Sequence, residues 1–424
     1  MRLFSSQRTT KPPTALIAWE IGAGFTHSQN LWGVVRHLRH MGWRCVIATA
    51  DPRFETWFRA LGADVVQTYL WPAMRSGVML PEPRPNRVLT DIFANYAISR
   101  PTDLKAAIAH YDTLLALVKP DIVLCENAFG AMLAARGRTP VIAYGSTLLF
   151  MPPILGDAFA PIDPTEPDPS WPIEGVLDDI NAALGASGRI PLTRPADIFD
   201  CHAVIPFGPA AFDPYPGFRT EKIYAPHCPD LPATMAAHPG SDTVVYLHDV
   251  TQMATDVMTA IEALKASVRI YIPSLAPELR QRFEARGHRI ETRMMPLSQL
   301  AETAGLLIHQ GGVTLTAAAL ALGIPQVILA RFHENGLAGR FVVAETLGFA
   351  KRLDQVQPDW IVATIETARR DRALQERCRS RAAEFRSWFD GDPTAVVATE
   401  AAKALGHAPQ LAPPVAGQHA WSPI

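Results

Sequence analysis

Residues Leu306–Thr316 read LLIHQGGVTLT. An apolar run reaches His309, the chain turns at Gly311-Gly312, and the helix that follows opens with Thr314 and Thr316. Glycines let backbone approach a ligand's phosphates closely, the free N–H groups of the first helical turn point at them, and the helix dipole favours their charge. His309 would add a donor at the strand's tip. The stretch therefore predicts a pocket for a phosphorylated ligand. A second turn of this kind, Gly22-Ala23-Gly24-Phe25-Thr26-His27, lies near the start of the chain, again between a strand and a helix. Two such turns, one in each half, predict two nucleotide-fold domains facing a shared cleft.

Outward from these turns, strand and helix alternate. Thr14–Trp19 (TALIAW) is a short apolar run of the type found in buried parallel strands. The next helix carries Leu31, Val34, Val35, Leu38 and Met41 at helical spacing and stops at Gly42. Arg44–Thr49 reads as a strand, Phe54–Leu61 as a helix and Ala63–Thr68 as a strand. Helix Pro101–Val118, strand Asp121–Cys125, a helix through Ala135 and strand Val141–Tyr144 repeat the unit. This order predicts an α/β chain with parallel sheets and right-handed crossovers. Between Met151 and Pro232 proline becomes frequent (PIDPTEPDPSWP, IPFGPAAFDPYPGF), which predicts loops with short helices and a linker. A second series has strands Thr243–Leu247, Val268–Ile272, Arg289–Met294, Leu306–His309 and Gln326–Ala330. The expected domains are 1–225 and 226–406, the latter closing with helices from Asp359 to Leu405, and a poorly ordered tail over 407–424.

Composition sets limits on this picture. At 424 residues, 48% hydrophobic and 19% charged, the chain suffices for two domains of ~100–200 residues each. A net charge of −2 gives no electrostatic footprint for nucleic acid or an anionic membrane. The five cysteines are odd in number and contain no Cys-x-x-Cys pair, which predicts a reduced compartment and no structural zinc. The early apolar stretch Ala15–Trp19 is stopped by Glu20, too short for a secretory segment, and no run approaches a membrane span. A cytoplasmic protein is expected.

With both turns read, the chain resembles the GT-B glycosyltransferases, specifically bacterial and plant enzymes that move a sugar from a nucleotide diphosphate to a small-molecule acceptor. Trp19-Glu20-Ile21-Gly22-Ala23-Gly24-Phe25-Thr26-His27 is similar to the family's N-terminal strand and turn, and Ile308-His309-Gln310-Gly311-Gly312 to its donor-diphosphate motif. The likeness continues through Gly323-Ile324-Pro325-Gln326 and Glu334-Asn335, where the family usually has Asp-Gln. It implies a GT-B fold of two Rossmann-like domains facing a central cleft, an acceptor-binding N-terminal domain, a nucleotide-sugar-binding C-terminal domain, His27 as general base, and no metal or other cofactor beside a UDP- or dTDP-sugar co-substrate. The chain also departs from the pattern. Thr314-Leu315 stands where relatives commonly have Gly-Thr, Ala318 replaces a ribose-binding Glu, His248-Asp249 replaces a Gly-Ser or Gly-Thr step, and Met294 aligns with a base-stacking indole.

The chemistry of transfer fits these residues. A hydroxyl that attacks a sugar's C1 needs a base, and His with an unperturbed pKa of ~6.5 is largely neutral at pH 7. The developing imidazolium benefits from a carboxylate behind it. Glu126 is the candidate, because it follows strand Asp121–Cys125 on the sheet edge that carries His27. The departing diphosphate would be held by His309, the N–H groups from Gly311 and Gly312 to Thr314, and the hydroxyls of Thr314 and Thr316; Glu334 and Asn335 would bond the sugar hydroxyls. No Asp, His or Cys cluster has metal-ligand spacing. Trp32, Trp71, Leu149, Phe150 and Pro152-Pro153 could line an apolar acceptor wall. Plainer readings stand beside these: His27 as a turn residue bonded to backbone, the glycines as close packing, Glu334 and Asn335 as a helix cap, His248-Asp249 as a polar loop, and the aromatic residues as core. The function expected is an inverting, metal-independent glycosyltransferase, with a nucleotide-sugar epimerase of the same fold and a non-catalytic nucleotide- or glycan-binding relative as alternatives.

Overall fold

The computed structural model of the protein describes residues 11–22, 24–72, 84–162, 165–234, 240–248 and 254–413. Two compact units divide the chain. In the N-terminal unit, β1 (Thr14–Trp19), β2 (Arg44–Thr49), β3 (Asp64–Gln67), β4 (Ile122–Glu126), β5 (Val141–Gly145) and β8 (Ala203–Pro206) form a parallel sheet in the order β3-β2-β1-β4-β5-β8, and β6 (Ile154–Leu155) and β7 (Ala158–Phe159) form a small hairpin. In the C-terminal unit, β9 (Asp242–Tyr246), β10 (Arg269–Tyr271), β11 (Arg289–Ile290), β12 (Ala304–His309), β13 (Gln326–Ala330) and β14 (Gly348–Arg352) give the parallel order β11-β10-β9-β12-β13-β14. Each order reverses direction once, between β1 and β4 and between β9 and β12, and ligands of open α/β sheets gather at such a reversal, off the strands' carboxyl ends.

The helices of the first unit are α1 (Phe25–His40), α2 (Glu55–Ala60), α3 (Leu89–Asn95), α4 (Pro101–Val118), α5 (Phe129–Ala135) and α6 (Ile173–Ala186). Those of the second are α7 (Thr255–Ala263), α8 (Pro277–Ala285), α9 (Leu297–Thr303), α10 (Val313–Ala321), α11 (His333–Ala344), α12 (Pro358–Arg370) and α13 (Arg372–Arg386). All six residues of β1 are buried, as helices on both faces of a parallel sheet require. His37, Arg39 and His40 in the last turn of α1 complement the negative end of its dipole.

Three differences from the sequence reading have physical causes. The proline-rich stretch holds the fourteen-residue α6, whose Val176, Ile180, Ala183 and Leu184 are buried along one stripe; its prolines flank the helix and leave it unbroken. The helix α14 (Pro393–Ala404), read as the end of a C-terminal domain over 226–406, packs on α1 and belongs to the N-terminal unit. It buries Val397, Ala398, Ala401 and Ala402 completely, and a fully buried valine alone contributes about 1.5–3 kcal/mol. The tail expected to be poorly ordered is held at its start: the His407 ring lies 6.1 Å from that of Trp43, and the Ala412 N–H donates to His37 Nδ1 at 3.1 Å. Residues 414–424 lie outside the described residues, as does Asp249.

Candidate active site

In the N-terminal unit, β1 and β4 are neighbours with Trp19 in register with Glu126. The turn after β1 launches α1, whose first turn carries His27. Nδ1 of His27 lies 2.9 Å from both carboxylate oxygens of Glu126. Glu126 is fully buried, while the His27 side chain keeps 12% of its surface exposed. The imidazole stacks on the Trp19 indole, with ring centroids 5.1 Å apart and planes inclined by 23°. The pairing anticipated from sequence therefore exists, and it fixes the tautomer: with Nδ1–H donated to the carboxylate, Nε2 carries the lone pair that a base needs.

Sequence reading missed the residues that hold this pair. Asn30, one turn along α1 on the His27 face, donates from Nδ2 to Glu126 Oε1 at 3.2 Å and to Ser146 Oγ at 3.1 Å. The i, i+3 spacing from His27 was the available signal. Glu20, on the opposite face of the sheet, is a second buried carboxylate. It accepts N–H groups of Gly130 at 3.1 Å and Ala131 at 2.8 Å in the first turn of α5, and Trp71 Nε1–H at 2.9 Å. Burial pushes its carboxyl up to about 7 against these donors. Trp71, expected in an acceptor wall, is thus a buried partner of Glu20, and Leu149 belongs to the core.

In the C-terminal unit, β12 ends at His309 and α10 begins beyond Gly311-Gly312. Gly311 has φ +81° and lies so close to β13 that a Cβ there would sit 2.7 Å from Ile328 Cγ2, so the turn needs glycine. No side chain caps α10, and the N–H groups of Gly312, Val313 and Thr314 have no partner among the described residues. The Thr314 hydroxyl, in a residue only 7% exposed, is likewise uncommitted among the described residues. An uncapped helix terminus with a hydroxyl in it has the chemistry to hold an anion.

Three of the expected donor side chains, and the expected Gly311 N–H, are spent elsewhere. His309 is buried, with Nε2 2.8 Å from Gln326 Oε1 and Nδ1 accepting the Gly311 N–H at 3.2 Å, so neither nitrogen is left for a phosphate. Burial drives its pKa down to about 4 despite the bond to Gln326, and a neutral ring is what both bonds require. The Thr316 hydroxyl donates to the Gly312 carbonyl at 2.9 Å, the backbone acceptor one turn back. Asn335 accepts the Phe332 N–H at 3.1 Å and donates to the Gly311 carbonyl at 3.1 Å, so it caps α11 and ties that helix to the glycine turn. Glu334 lies beside it in the first turn of α11, half-buried. Gln326, at the start of β13, binds His309 and also donates to the Thr316 carbonyl at 3.3 Å. His309, Thr316, Gln326 and Asn335 thus fix the shape of the turn, while the N–H groups of Gly312, Val313 and Thr314 stay uncommitted among the described residues.

Among the described residues, no three His, Cys, Asp or Glu side chains stand together as metal ligands, and no helix is long and apolar enough to cross a membrane.

Comparison with known proteins agrees with this architecture. Residues 256–402 match the family described as "Erythromycin biosynthesis protein CIII-like, C-terminal domain". The glycosyltransferase VinC, crystallised with dTDP, is 14% identical, with 92% of this chain and 99% of VinC covered at a TM-score of 0.60. The calicheamicin glycosyltransferase CalG4 is 21% identical, with 94% and 99% covered and a TM-score of 0.61. The spinosyn rhamnosyltransferase SpnG, crystallised with spinosyn aglycone, is 16% identical, with 91% and 99% covered and a TM-score of 0.60. No curated protein sequence matches the chain. At these identities the likeness establishes the fold: two Rossmann-like units with parallel sheets, the GT-B fold of glycosyltransferases.

Proposed function

We propose that the protein is an inverting, metal-independent glycosyltransferase that moves a sugar from a nucleotide diphosphate, dTDP or UDP, to a hydroxyl of a small acceptor. The observation that carries this reading is the His27–Glu126 pair at 2.9 Å beside the switch point of the first sheet. Its chemistry is that of a base. The acceptor O–H gives its proton to His27 Nε2 while the oxygen attacks C1 of the sugar, and Glu126 balances the imidazolium that forms. The bond from C1 to the diphosphate oxygen breaks, and the leaving group departs with the electron pair. One displacement at C1 inverts the anomeric centre.

Charge on the departing diphosphate is met by the N–H groups of Gly312, Val313 and Thr314, the Thr314 hydroxyl and the dipole of α10, all of which act without a metal ion. The dTDP bound by VinC and the aglycone bound by SpnG support a nucleotide donor and an apolar acceptor. The five free cysteines support the cytoplasm as the place of action.

The test is incubation with UDP-, dTDP- and GDP-sugars, first by thermal shift and then with an acceptor panel in EDTA. Donor at 100 times its Kd adds ~2.7 kcal/mol of stability. Chelator-resistant transfer with inverted configuration supports the reading. Isomerised donor without acceptor points to an epimerase, and binding without turnover to a non-catalytic relative.

A further inference from the structure

We infer that Asn30 is a positioning residue of the active site, acting through Glu126 on the His27 base; the inference rests on the transferase reading of that pair. A neutral His27 offers Glu126 a single N–H, which lies 2.9 Å from each of two carboxylate oxygens. One hydrogen shared between two oxygens leaves the carboxylate free to rotate about its own axis. Asn30 removes that freedom. Its Nδ2 holds Oε1 at 3.2 Å, and its other hydrogen is anchored on Ser146 Oγ at 3.1 Å, so the amide is itself locked to the loop after β5. Both donors to Glu126 thus come from one face of α1, three residues apart, and both move with that helix.

The way Asn30 is satisfied argues against a packing role. The residue is fully buried, yet its Oδ1 has no partner among the described residues. An orphaned buried carbonyl is destabilising, a cost that a leucine of similar volume would avoid. The amide is therefore used for its two hydrogens, and its orientation follows from the charge it meets: reversed, it would set Oδ1 against a carboxylate oxygen. Besides His27, the titratable group facing Glu126 is Tyr144 on the adjacent strand, whose hydroxyl burial holds well above its ordinary range, with the Glu126 charge adding to the effect. A neutral phenol adds no second charge beside Glu126.

Catalytically, the bond matters when the imidazolium forms. A carboxylate held square to Nδ1 keeps Nε2 aimed in one direction before and after proton transfer, so little reorganisation accompanies the step. Removing Asn30 should lower kcat about 10- to 100-fold and leave the donor Kd within twofold, because its hydrogen bonds go to Glu126 and Ser146. If Asn30 acts through Glu126, its loss should cost almost nothing further once Glu126 is disabled.

The experiment is a double-mutant cycle of Asn30→Ala and Glu126→Gln, with kcat and dTDP affinity measured for each enzyme, alongside Asn30→Asp. The expected result is that the double variant is no slower than Glu126→Gln alone. Asn30→Asp should be active at acid pH, where the new carboxyl retains a proton to share with Glu126, and should fade as that proton is lost. Losses that multiply in the cycle, or an Asn30→Ala enzyme with wild-type kcat, overturn the proposal. A readout independent of turnover is histidine ¹⁵N NMR: the Nδ1–H tautomer of His27, dominant in the wild type, should give way to mixed tautomers in Asn30→Ala. Unchanged tautomer signals in that variant overturn the inference even if no acceptor is ever found. A loss of tautomer order without any turnover in the wild type would instead sink the transferase reading and leave Asn30's role intact.

Discussion

Gly22 stands against the edge of the His27 imidazole: a Cβ built on it would lie 2.4 Å from Nε2 and 2.9 Å from Cε1. Any side chain at this position would run into Nε2, the ring nitrogen that Glu126 does not hold. A turn that brings backbone this close to the imidazole, at φ +103°, can be made only by glycine.

Gly22→Ala should therefore cost more in rate than in stability. Strain at a positive φ is worth about 1–3 kcal/mol, but the methyl also pushes the ring away from Glu126 or blocks Nε2. We expect kcat to fall at least about 100-fold, the scale of losing a general base, with donor binding within a few-fold of wild type and melting lowered by several degrees. A Gly22→Ala enzyme of normal kcat would mean that Nε2 does not meet the acceptor.

Direct removal of the proposed base gives the companion result. His27→Ala should reduce transfer about 10²–10⁴-fold and hold donor affinity within a few-fold, since the ring acts on the acceptor. Glu126→Gln should lose less and move the pH dependence of kcat/KM. Wild-type turnover in His27→Ala, measured by product formation under saturating donor, reduces His27 to a turn residue.

The fold was legible where residues repeat a simple rule. TALIAW and QVILA are continuous apolar runs, and both became strands with unchanged bounds. The sequence of β14, GFAKR, lacks such a run because the strand is only partly buried at the sheet edge, so pattern reading passed over it. The His27–Glu126 pair was legible because Glu126 ends β4 and His27 opens the helix that follows β1, and topology makes those two strands neighbours. The donor turn was legible as a place and misleading in its parts. His309, Thr316 and Asn335 have the right chemistry for a ligand, and the same chemistry satisfies Gln326, a helix carbonyl and a glycine turn. Which partner wins depends on distances that no spacing in the sequence encodes.

Two buried groups should give the units opposite pH slopes. His309 stands at about 4 when folded against ~6.5 unfolded, so the unfolded chain binds the extra proton between those values. Its contribution is present above pH 6.5 and lost as pH falls toward 4, a drop of about 2 kcal/mol from pH 7 to 5. Glu20 stands at about 7 against 4.5, so here the folded unit binds the extra proton. That contribution is present below pH 4.5 and lost as pH rises through 7, about 2.5 kcal/mol between pH 5 and 8. Urea unfolding of Glu20→Gln should show the variant gaining on wild type as pH rises, and His309→Gln gaining as pH falls. Differences that stay constant with pH in either variant contradict the burial argument for that group.

The donor turn gives the last prediction. The motif this turn resembles has a threonine one residue later, where this chain has Leu315, and among the described residues Thr314 is the hydroxyl left uncommitted beside the open N–H groups of Gly312 and Val313. If Thr314 meets the diphosphate, Thr314→Val weakens dTDP or UDP binding by about 1–3 kcal/mol, the cost of a charged oxygen short of one hydrogen bond. Thr316→Val should leave affinity within a few-fold, because that hydroxyl is bonded to Gly312 whether or not a donor is bound. Leu315→Thr should change little. Calorimetric titration of the three variants separates the cases. A silent Thr314→Val together with a Leu315→Thr that gains affinity or turnover would mean that the natural turn has lost its donor contact, and the chain would then be a binding protein built on a transferase fold.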